Sequence, residues 1–218
     1  KDGNLKGSLS LLDWDKRAIL DTLYLGAHPR IAEPHPSGTF ALIPLLNGEL
    51  IRCAVAGDSL EASSVDFALD NGEQEIVITR ADAVVHVPAL DCFYMILQIE
   101  NDRRSLARID GNGRTGHILD LEIPQRAFSL AVSSSGDQLA VGTGRGASGF
   151  SEVYTIQTGG TEKITHILTT GFPSSISSIQ FHPDGRSIYV AGDKKDIEHY
   201  RLSRPVDPTA DLDGGNPS

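Results

Sequence analysis

A single kind of turn recurs along this chain. Three segments carry it, each between two short apolar runs: His35-Pro36-Ser37-Gly38, Ser134-Ser135-Gly136-Asp137 and His182-Pro183-Asp184-Gly185. Gly38 and Gly136 are 98 positions apart, and Gly136 and Gly185 are 49 apart, so the repeat is 49 residues long with one altered copy between the first two. Short strands that repeat at such a period are typical of a radial array of small sheets. This kind of array supports many unrelated functions, so the function has to be argued from a site.

The apolar pattern between the turns predicts strands throughout. Short runs that alternate or are continuously apolar, each followed by a turn signal, favour strands, and no stretch shows the helical period. If each small four-stranded sheet of the array is called a blade, the runs group as half a blade, then three full blades, then three strands of a fifth. The predicted strands are Ser8 to Trp14, Ala18 to Leu25, Phe40 to Leu46, Leu50 to Ala56, Ala83 to Val87, Cys92 to Ile99, Ser105 to Ile109, His117 to Ile123, Phe128 to Val132, Gln138 to Val141, Glu152 to Ile156, Lys163 to Leu168, Ile176 to Phe181, Ser187 to Val190 and Ile197 to Leu202.

The region from residue 58 to residue 82 is the least regular part of the pattern. Val65 to Leu69 and Glu75 to Thr79 could both be strands, with Asn71-Gly72 turning between them. Either could be the outer strand of the first full blade, and the sequence leaves that choice open.

This grouping predicts an all-β fold, a β-propeller of four-stranded antiparallel blades with about four to five blades in the chain. Residues 1–203 are expected to form one domain, and residues 204–218, which lack periodicity, a disordered or extended tail. Two arrangements remain open. Ala18 to Leu25 could lie beside Ile197 to Leu202 and close a ring of four, or the chain could be a piece of a larger ring. The strand-first beginning and the period favour the piece.

Part of the chain resembles known propeller families. Ile176 to Gly192, followed by Ile197 to Leu202, resembles one blade of a WD-repeat propeller, and Leu130 to Gly142 resembles the blade before it. Gly7 to Asp13, then Ile19 to Gly26 with His28-Pro29, is similar to the YVTN-type, lactonase-like propellers of bacteria. No Gly-His pair opens a blade, and Tyr200-Arg201 and Tyr154-Thr155 stand where WD repeats end in Trp-Asp. The resemblance therefore implies the fold and carries over no family site.

Composition limits the classes of partner. The 218 residues carry a formal net charge of −10 and a pI near 5.1, which weighs against broad binding to nucleic acid. No apolar run of the length needed to span a membrane occurs, and the N-terminal residues lack a signal-peptide core, so we expect a soluble protein of unknown compartment. Cys53 and Cys92 lie in apolar strands without metal spacing and are expected to be buried free thiols.

The motifs that could suggest a metal favour structural roles. His35 and His182 recur at the same position of the turn, which indicates a repeat rather than a ligand set, and His86 lies within an apolar strand as a core histidine would. Asp110 to Arg114 resembles the start of a calcium loop, but Arg114 and Leu121 replace the oxygen ligands that the loop requires. We therefore expect no metal site, no cofactor and no catalytic set.

Topology nevertheless marks one rim for attention. In a propeller, the starts of the inner strands and the hairpins between second and third strands share one face, and three arginines and a lysine there would form a positive patch suited to an acidic peptide or an anionic ligand. The residues that we place on this rim as candidate binding residues are Arg30, Asn47, Asp82, Asp102, Arg126, Arg145, Ser174 and Lys194.

Three functions are compatible with this pattern. The leading one is a non-catalytic interaction scaffold that presents the rim to a protein partner, because many short strands and no convergent catalytic set are evident. The alternative is a lactonase-like or other hydrolase with a site at the channel mouth, which would need carboxylates or histidines from different blades to meet at one water. A third is a structural subunit of a large assembly, whose partners would be the remaining blades or other subunits.

Overall fold

The computed structural model describes residues 7–69, 77–100, 103–123, 126–145, 148–192 and 197–202. Five antiparallel-based sheets follow one another along the chain, and we name them the leading hairpin and the first, second, third and fourth blades. They contain two, four, five, four and three strands respectively. The propeller predicted from the period is therefore confirmed, with the predicted succession of a half blade, three full blades and three strands of a fifth. The predicted tail begins at residue 204, outside the described residues.

The strands agree with the predicted runs to within a few residues at most ends. The leading hairpin and first blade are β1 (Ser8–Asp13), β2 (Ala18–Tyr24), β3 (Glu33–Pro34), β4 (Phe40–Pro44), β5 (Leu50–Ala56) and β6 (Ser59–Ser64). The second blade is β7 (Asp66–Leu69), β8 (Ile78–Val87), β9 (Cys92–Ile99), β10 (Arg104–Asp110) and β11 (Thr115–Ile123). The third and fourth blades are β12 (Ala127–Val132), β13 (Gln138–Arg145), β14 (Ser151–Gln157), β15 (Lys163–Thr169), β16 (Ile176–Phe181), β17 (Ser187–Gly192) and β18 (Ile197–Arg201).

The outer strand of the first blade was not among the two candidates. It is β6, which pairs antiparallel with β5, whereas β7 pairs parallel with β11 as a fifth strand of the second blade. The polar sequence Ser59 to Ser64 lacks an apolar stripe because an outer strand contacts few neighbours, and five of its six residues are exposed or nearly so. Val65 to Leu69 does contain a strand, β7, but Val65 and Phe67 pack in the apolar layer shared with the second blade, which β7 joins. Of the other candidate, residues 75 and 76 lie outside the described residues, whereas Ile78 and Thr79 are the first two residues of β8.

Closure of a ring of four by the leading hairpin is not what the structure shows. Among the described residues, β2 pairs with β1 alone, and β18 pairs only with β17. The leading hairpin instead lies beside the first blade, where the Asp21 carboxylate accepts a hydrogen bond from the Leu60 amide at 2.7 Å. The alternative in which Ala18 to Leu25 completes the last blade is therefore wrong for this structure.

The core consists of four apolar layers, each between consecutive sheets. Strand β9 shows how one strand serves two layers, because alternate side chains point to opposite faces. Phe93, Met95 and Leu97 pack toward the first blade, while Tyr94 and Ile96 pack toward the third. All five are fully buried. This explains why Cys92 to Ile99 reads as a continuous apolar run, and both cysteines, Cys53 and Cys92, are buried free thiols as expected.

The altered copy of the repeated turn lies between β8 and β9. Residues Pro88–Leu90 form a 3₁₀ turn, and Asp91 follows in the left-handed conformation with φ 44°. Gly38, Gly136 and Gly185 hold the corresponding left-handed positions, with φ of 70°, 75° and 65°. An aspartate tolerates this conformation at a cost that glycine avoids. The second blade thus keeps the shape of the turn but has a carboxylate where its neighbours have no side chain.

Gly48 provides a test of how tightly the blades stack. It has φ 93°, and a Cβ there would lie 2.3 Å from the Ile78 carbonyl oxygen of the second blade. We expect Gly48→Ala to lower the free energy of unfolding by about 2–4 kcal/mol, because left-handed strain and a backbone clash add. Gly38→Ala is the matched control, because Gly38 has φ 70° and a Cβ built there would have no contact within 4 Å. This variant should lose about 1 kcal/mol of unfolding free energy. Equal losses in urea denaturation would contradict the stacking of Gly48 on β8.

Across the described residues, none of the helical structure reaches the length and apolarity of a membrane-crossing helix.

Candidate functional site

The rim predicted from topology is marked by irregular pairing at the starts of the inner strands. Register shifts occur in β8 between Ala81 and Ala83, in β12 between Ala127 and Ser129, and in β16 between Ile176 and Ser178. The residue skipped in each case is Asp82, Phe128 or Ser177. Bulges of this kind bend a strand and redirect a side chain, and they are frequent beside functional sites. The second, third and fourth blades therefore share a β-bulge at this rim, and the bulged residue has a different side chain in each blade.

Asp82 is the centre of a cluster of charges on this rim. Its side chain is fully buried, and the guanidinium groups of three arginines approach it. Arg80 donates from Nε to Oδ1 at 2.7 Å, Arg30 Nη2 lies 3.3 Å from Oδ1, and Arg104 Nη1 donates to Oδ2. Arg30 precedes the first blade, whereas the other three residues belong to the second. Arg30 and Asp82, two of the residues placed on this rim from topology, are in contact, and because the Arg30 amide donates to the Pro44 carbonyl of β4, the contact links the first blade to the second.

Arg80 and Arg104 were not among the predicted rim residues. Arg104 is only 6% exposed, and its guanidinium carbon also lies 5.5 Å from the centre of the Phe128 ring of the third blade. The predicted strand began one residue later, at Ser105, and the residue chosen from this hairpin was Asp102, so Arg104 was missed. Arg80 and Arg126 each lie two residues before the skipped residue of their strand, an equivalence that only the register shifts of β8 and β12 reveal.

The remaining predicted rim residues are placed individually. Arg126 and Arg145 are exposed at the start of β12 and the end of β13, and the Gly144 amide donates to the Arg126 carbonyl at 2.7 Å. Asn47 is exposed in the β4–β5 hairpin, where its side chain accepts a hydrogen bond from the Glu49 amide. Ser174 is half-buried just before β16. Asp102 and Lys194 lie outside the described residues.

A second cluster of functional groups lies on the opposite face, where the repeated turns are. His35 Nε2 of the first-blade turn lies 3.2 Å from Asp91 Oδ1, and His86 Nε2 of β8 lies 3.7 Å from the same oxygen. The two imidazole rings meet edge to face at 5.0 Å. The three candidate donor atoms lie within 4.8 Å of one another. Sequence reasoning singled out both histidines but not Asp91, although the 49-residue period points to the altered turn.

The environment of this second cluster keeps His86 neutral. Burial lowers the pKa of His86, and the neighbouring His35 acts in the same direction, while Asp91 opposes them. The His86 backbone amide donates to Glu33 Oε1 at 3.1 Å, and burial raises the pKa of that glutamate. His35 also has the predicted role in the turn, because its Nδ1 accepts the Ser37 amide at 3.1 Å. His182 Nδ1 accepts the Asp184 amide in the same way at 3.2 Å.

Asp91 also borders a cavity of about 540 Å³ between the second and third blades. Glu162 of the third blade lines it, and accepts a 2.6 Å hydrogen bond from the Tyr94 hydroxyl. Burial, together with this glutamate, raises the pKa of Tyr94. The tyrosine therefore stays protonated and acts as a tie between the blades.

Comparison with solved structures places this architecture among propellers. Hydrazine Synthase of Kuenenia stuttgartiensis matches with a TM-score of 0.68 at 15% identity over 92% of this chain and 66% of that chain. The "Dos1 propeller" matches with a TM-score of 0.68 at 13% identity over 91% of this chain and 51% of that one. A putative TolB from Agrobacterium tumefaciens matches with a TM-score of 0.61 at 18% identity over 90% and 66%. No family model matches the chain, and no curated protein does.

These likenesses show the fold alone. The identities are low, and the chain spans between about half and two thirds of the length of these structures. The class defined by fold and comparison is therefore a β-propeller, in which the arginine cluster around Asp82 lies on one face and the His35, His86 and Asp91 cluster on the other.

Proposed function

We propose that this chain is a non-catalytic interaction module that presents its arginine rim to an acidic segment of a protein partner. The observation that carries the proposal is the gathering of Arg30, Arg80 and Arg104 around the single carboxylate of Asp82. Three positive charges against one negative charge leave a formal excess of two within this cluster, in a chain whose net charge is −10. Such a local reversal of charge favours an anionic partner over a cationic one.

The geometry of the cluster supports recognition by hydrogen bonds as well as charge. Arg30 and Arg80 have side chains that are 35% and 33% exposed, so their outer parts reach solvent while Asp82 holds them in place. A guanidinium group has about five N–H donors, which exceeds what one carboxylate shared by three arginines can accept. Donors held in a fixed orientation bind carboxylates with less loss of side-chain entropy than mobile ones.

The hydrolase alternative gains less support from this rim. A general base must be free to accept a proton from water. Asp82 is fully buried, and three guanidinium groups occupy both of its carboxylate oxygens, so neither oxygen is free to accept a proton from water. The rim arrangement therefore supports binding more than acid–base catalysis at Asp82.

Two finer proposals concern family and assembly. We propose that the blades are related to WD or YVTN repeats, supported by the shared turn in which His35 and His182 each accept the amide two residues later. We also propose that further blades or another subunit cover the edge of β18 that has no partner strand among the described residues, where Ile197 is 72% exposed. Bare strand edges favour aggregation unless they are covered.

The rim proposal can be tested with a fluorescein-labelled peptide of ten glutamates as the probe. We expect fluorescence anisotropy to show binding that weakens with salt, and Arg30→Gln to reduce the affinity about 10-fold, because a charge-assisted hydrogen bond is lost. Asp82 keeps two arginine partners in this variant, so the fold should persist.

Arg186→Gln is the matched control, because Arg186 is exposed in the β16–β17 turn on the opposite face. Its affinity for the peptide should equal that of the unmodified protein. Failure of the peptide to bind, or an equal loss in both variants, would contradict a partner site on the arginine rim.

A further inference from the structure

We propose that His35, His86 and Asp91 form a binding site for a divalent transition-metal ion, with zinc as the best match. The site joins the first and second blades on the face opposite the arginine rim, so it is independent of the proposed partner site. It departs from the sequence-based expectation that the histidines serve only the turn and the core.

The donor atoms already lie close to the spacing that zinc requires. His35 Nε2 to Asp91 Oδ1 is 3.2 Å, His86 Nε2 to Asp91 Oδ1 is 3.7 Å, and all three atoms fit within 4.8 Å. Tetrahedral zinc at about 2.0–2.1 Å from nitrogen and oxygen donors places those donors about 3.3 Å apart. The separation between His35 Nε2 and Asp91 Oδ1 therefore already fits. Rotation of the side chains would shorten the other two donor–donor distances to the same value.

The buried nitrogen of His86 is the observation that points to a ligand. His86 is 7% exposed, and among the described residues its Nε2 has no hydrogen-bond partner. A buried polar atom without a partner costs about 1–3 kcal/mol, so native proteins rarely retain one without reason. A metal ion bound between the three residues would give this nitrogen its partner.

Asp91 supplies the anionic ligand and leaves room for a fourth. Its side chain is 74% exposed, so water or a further ligand could complete the coordination from solvent. It occupies the left-handed turn position at which three other blade turns have glycine. The replacement of glycine by Asp91 thus places a carboxylate in the turn that faces His35 and His86.

His35 has a hydrogen bond that can orient it as a ligand. Its Nδ1 lies 2.7 Å from the Ser37 hydroxyl, which can accept a proton from Nδ1 when Nε2 binds a metal. In the metal-free protein the Ser37 amide donates to Nδ1, so the ring proton is on Nε2 and faces Asp91. Binding would therefore move the ring proton to Nδ1, and the Ser37 amide would lose this acceptor.

The chemistry of the donors selects the class of ion. Two imidazole nitrogens with one carboxylate suit zinc and its neighbours in the transition series, whereas calcium and magnesium prefer sites made of oxygen. Cys92 follows Asp91 but is buried in the apolar layer between the second and third blades, away from the two histidines.

The test is titration of tag-free protein with zinc chloride by calorimetry, and with cobalt chloride by visible absorption. We expect one zinc per chain, and a cobalt spectrum with the intense visible bands of four-coordinate geometry and no thiolate charge-transfer band. Asp91→Gly should weaken zinc binding more than about 100-fold, because it removes the charged ligand. Glycine suits the left-handed position, so this variant should keep the fold.

A second variant and a control make the outcome decisive. His86→Gln should also abolish the binding of one zinc ion per chain. His182→Asn, at the corresponding turn of the fourth blade, should bind zinc as the unmodified protein does. The proposal is overturned if the unmodified protein shows no stoichiometric binding, if Asp91→Gly and His86→Gln still bind with full affinity, or if cobalt gives the weak spectrum of an octahedral complex.

Discussion

Replacing Asp82 by alanine should destabilise the protein by about 3–5 kcal/mol, since it removes the carboxylate that three converging arginines share. Arg30 and Arg80 are about one-third exposed and can turn toward solvent. Arg104 is 6% exposed and cannot, so its charge would stay buried without a counter-ion. Urea denaturation followed by far-ultraviolet circular dichroism would measure the loss as a lower midpoint at an unchanged slope.

A double-mutant cycle identifies the source of that loss. Arg104→Met removes the buried charge, so in the Asp82→Ala background it should restore more than about 1 kcal/mol of the lost stability. In the unmodified protein the same change should destabilise, because Asp82 loses its most buried partner. If Arg104→Met lowers stability equally in both backgrounds, Asp82 and Arg104 are not coupled and the proposed rim cluster is wrong.

Phe93→Ala should cost about 3–5 kcal/mol, because the ring is fully buried between the first and second blades. Its centre lies 5.9 Å from the Phe40 ring of the first blade and 4.7 Å from the His86 ring of its own blade. Truncation leaves a cavity in an interface that both sheets share, and neither sheet can close it without moving relative to the other. The measurement is the free energy of unfolding by urea denaturation.

Trp14→Ala is the control for this truncation. Trp14 is 86% exposed in the turn of the leading hairpin, so removing an even larger ring should change stability by less than about 0.5 kcal/mol. Comparable losses in the two variants would mean that the blades do not stack through Phe93.

The architecture could be predicted from sequence because it rests on local signals. The left-handed glycines Gly38, Gly136 and Gly185 fix the turns, and the period between them fixes the succession of sheets. The outer strand β6 escaped because five of its six residues are exposed, so no apolar stripe reveals it. The position of β7 escaped for a different reason: it pairs parallel with β11, some fifty residues later in the chain, and no local pattern reports that pairing.

The sites were less predictable because they depend on contacts between blades. Topology placed Arg30 and Asp82 on one rim, but which arginines reach Asp82 depends on the register shift in β8 and on the burial of Arg104. The cluster of His35, His86 and Asp91 was not predicted because a role in the turn already explained His35, and His35 does have that role through Nδ1. Its Nε2 faces Asp91 only because the two blades stack in register.

The measurement that most directly tests the stacking of the blades is an aromatic nuclear Overhauser experiment on selectively labelled protein. Phe40 and Phe93 belong to different blades, and their ring centres lie 5.9 Å apart. A cross-peak between the two rings is predicted. Absence of that cross-peak, while the intrablade one between His86 and Phe93 is present, would contradict the register from which both sites follow.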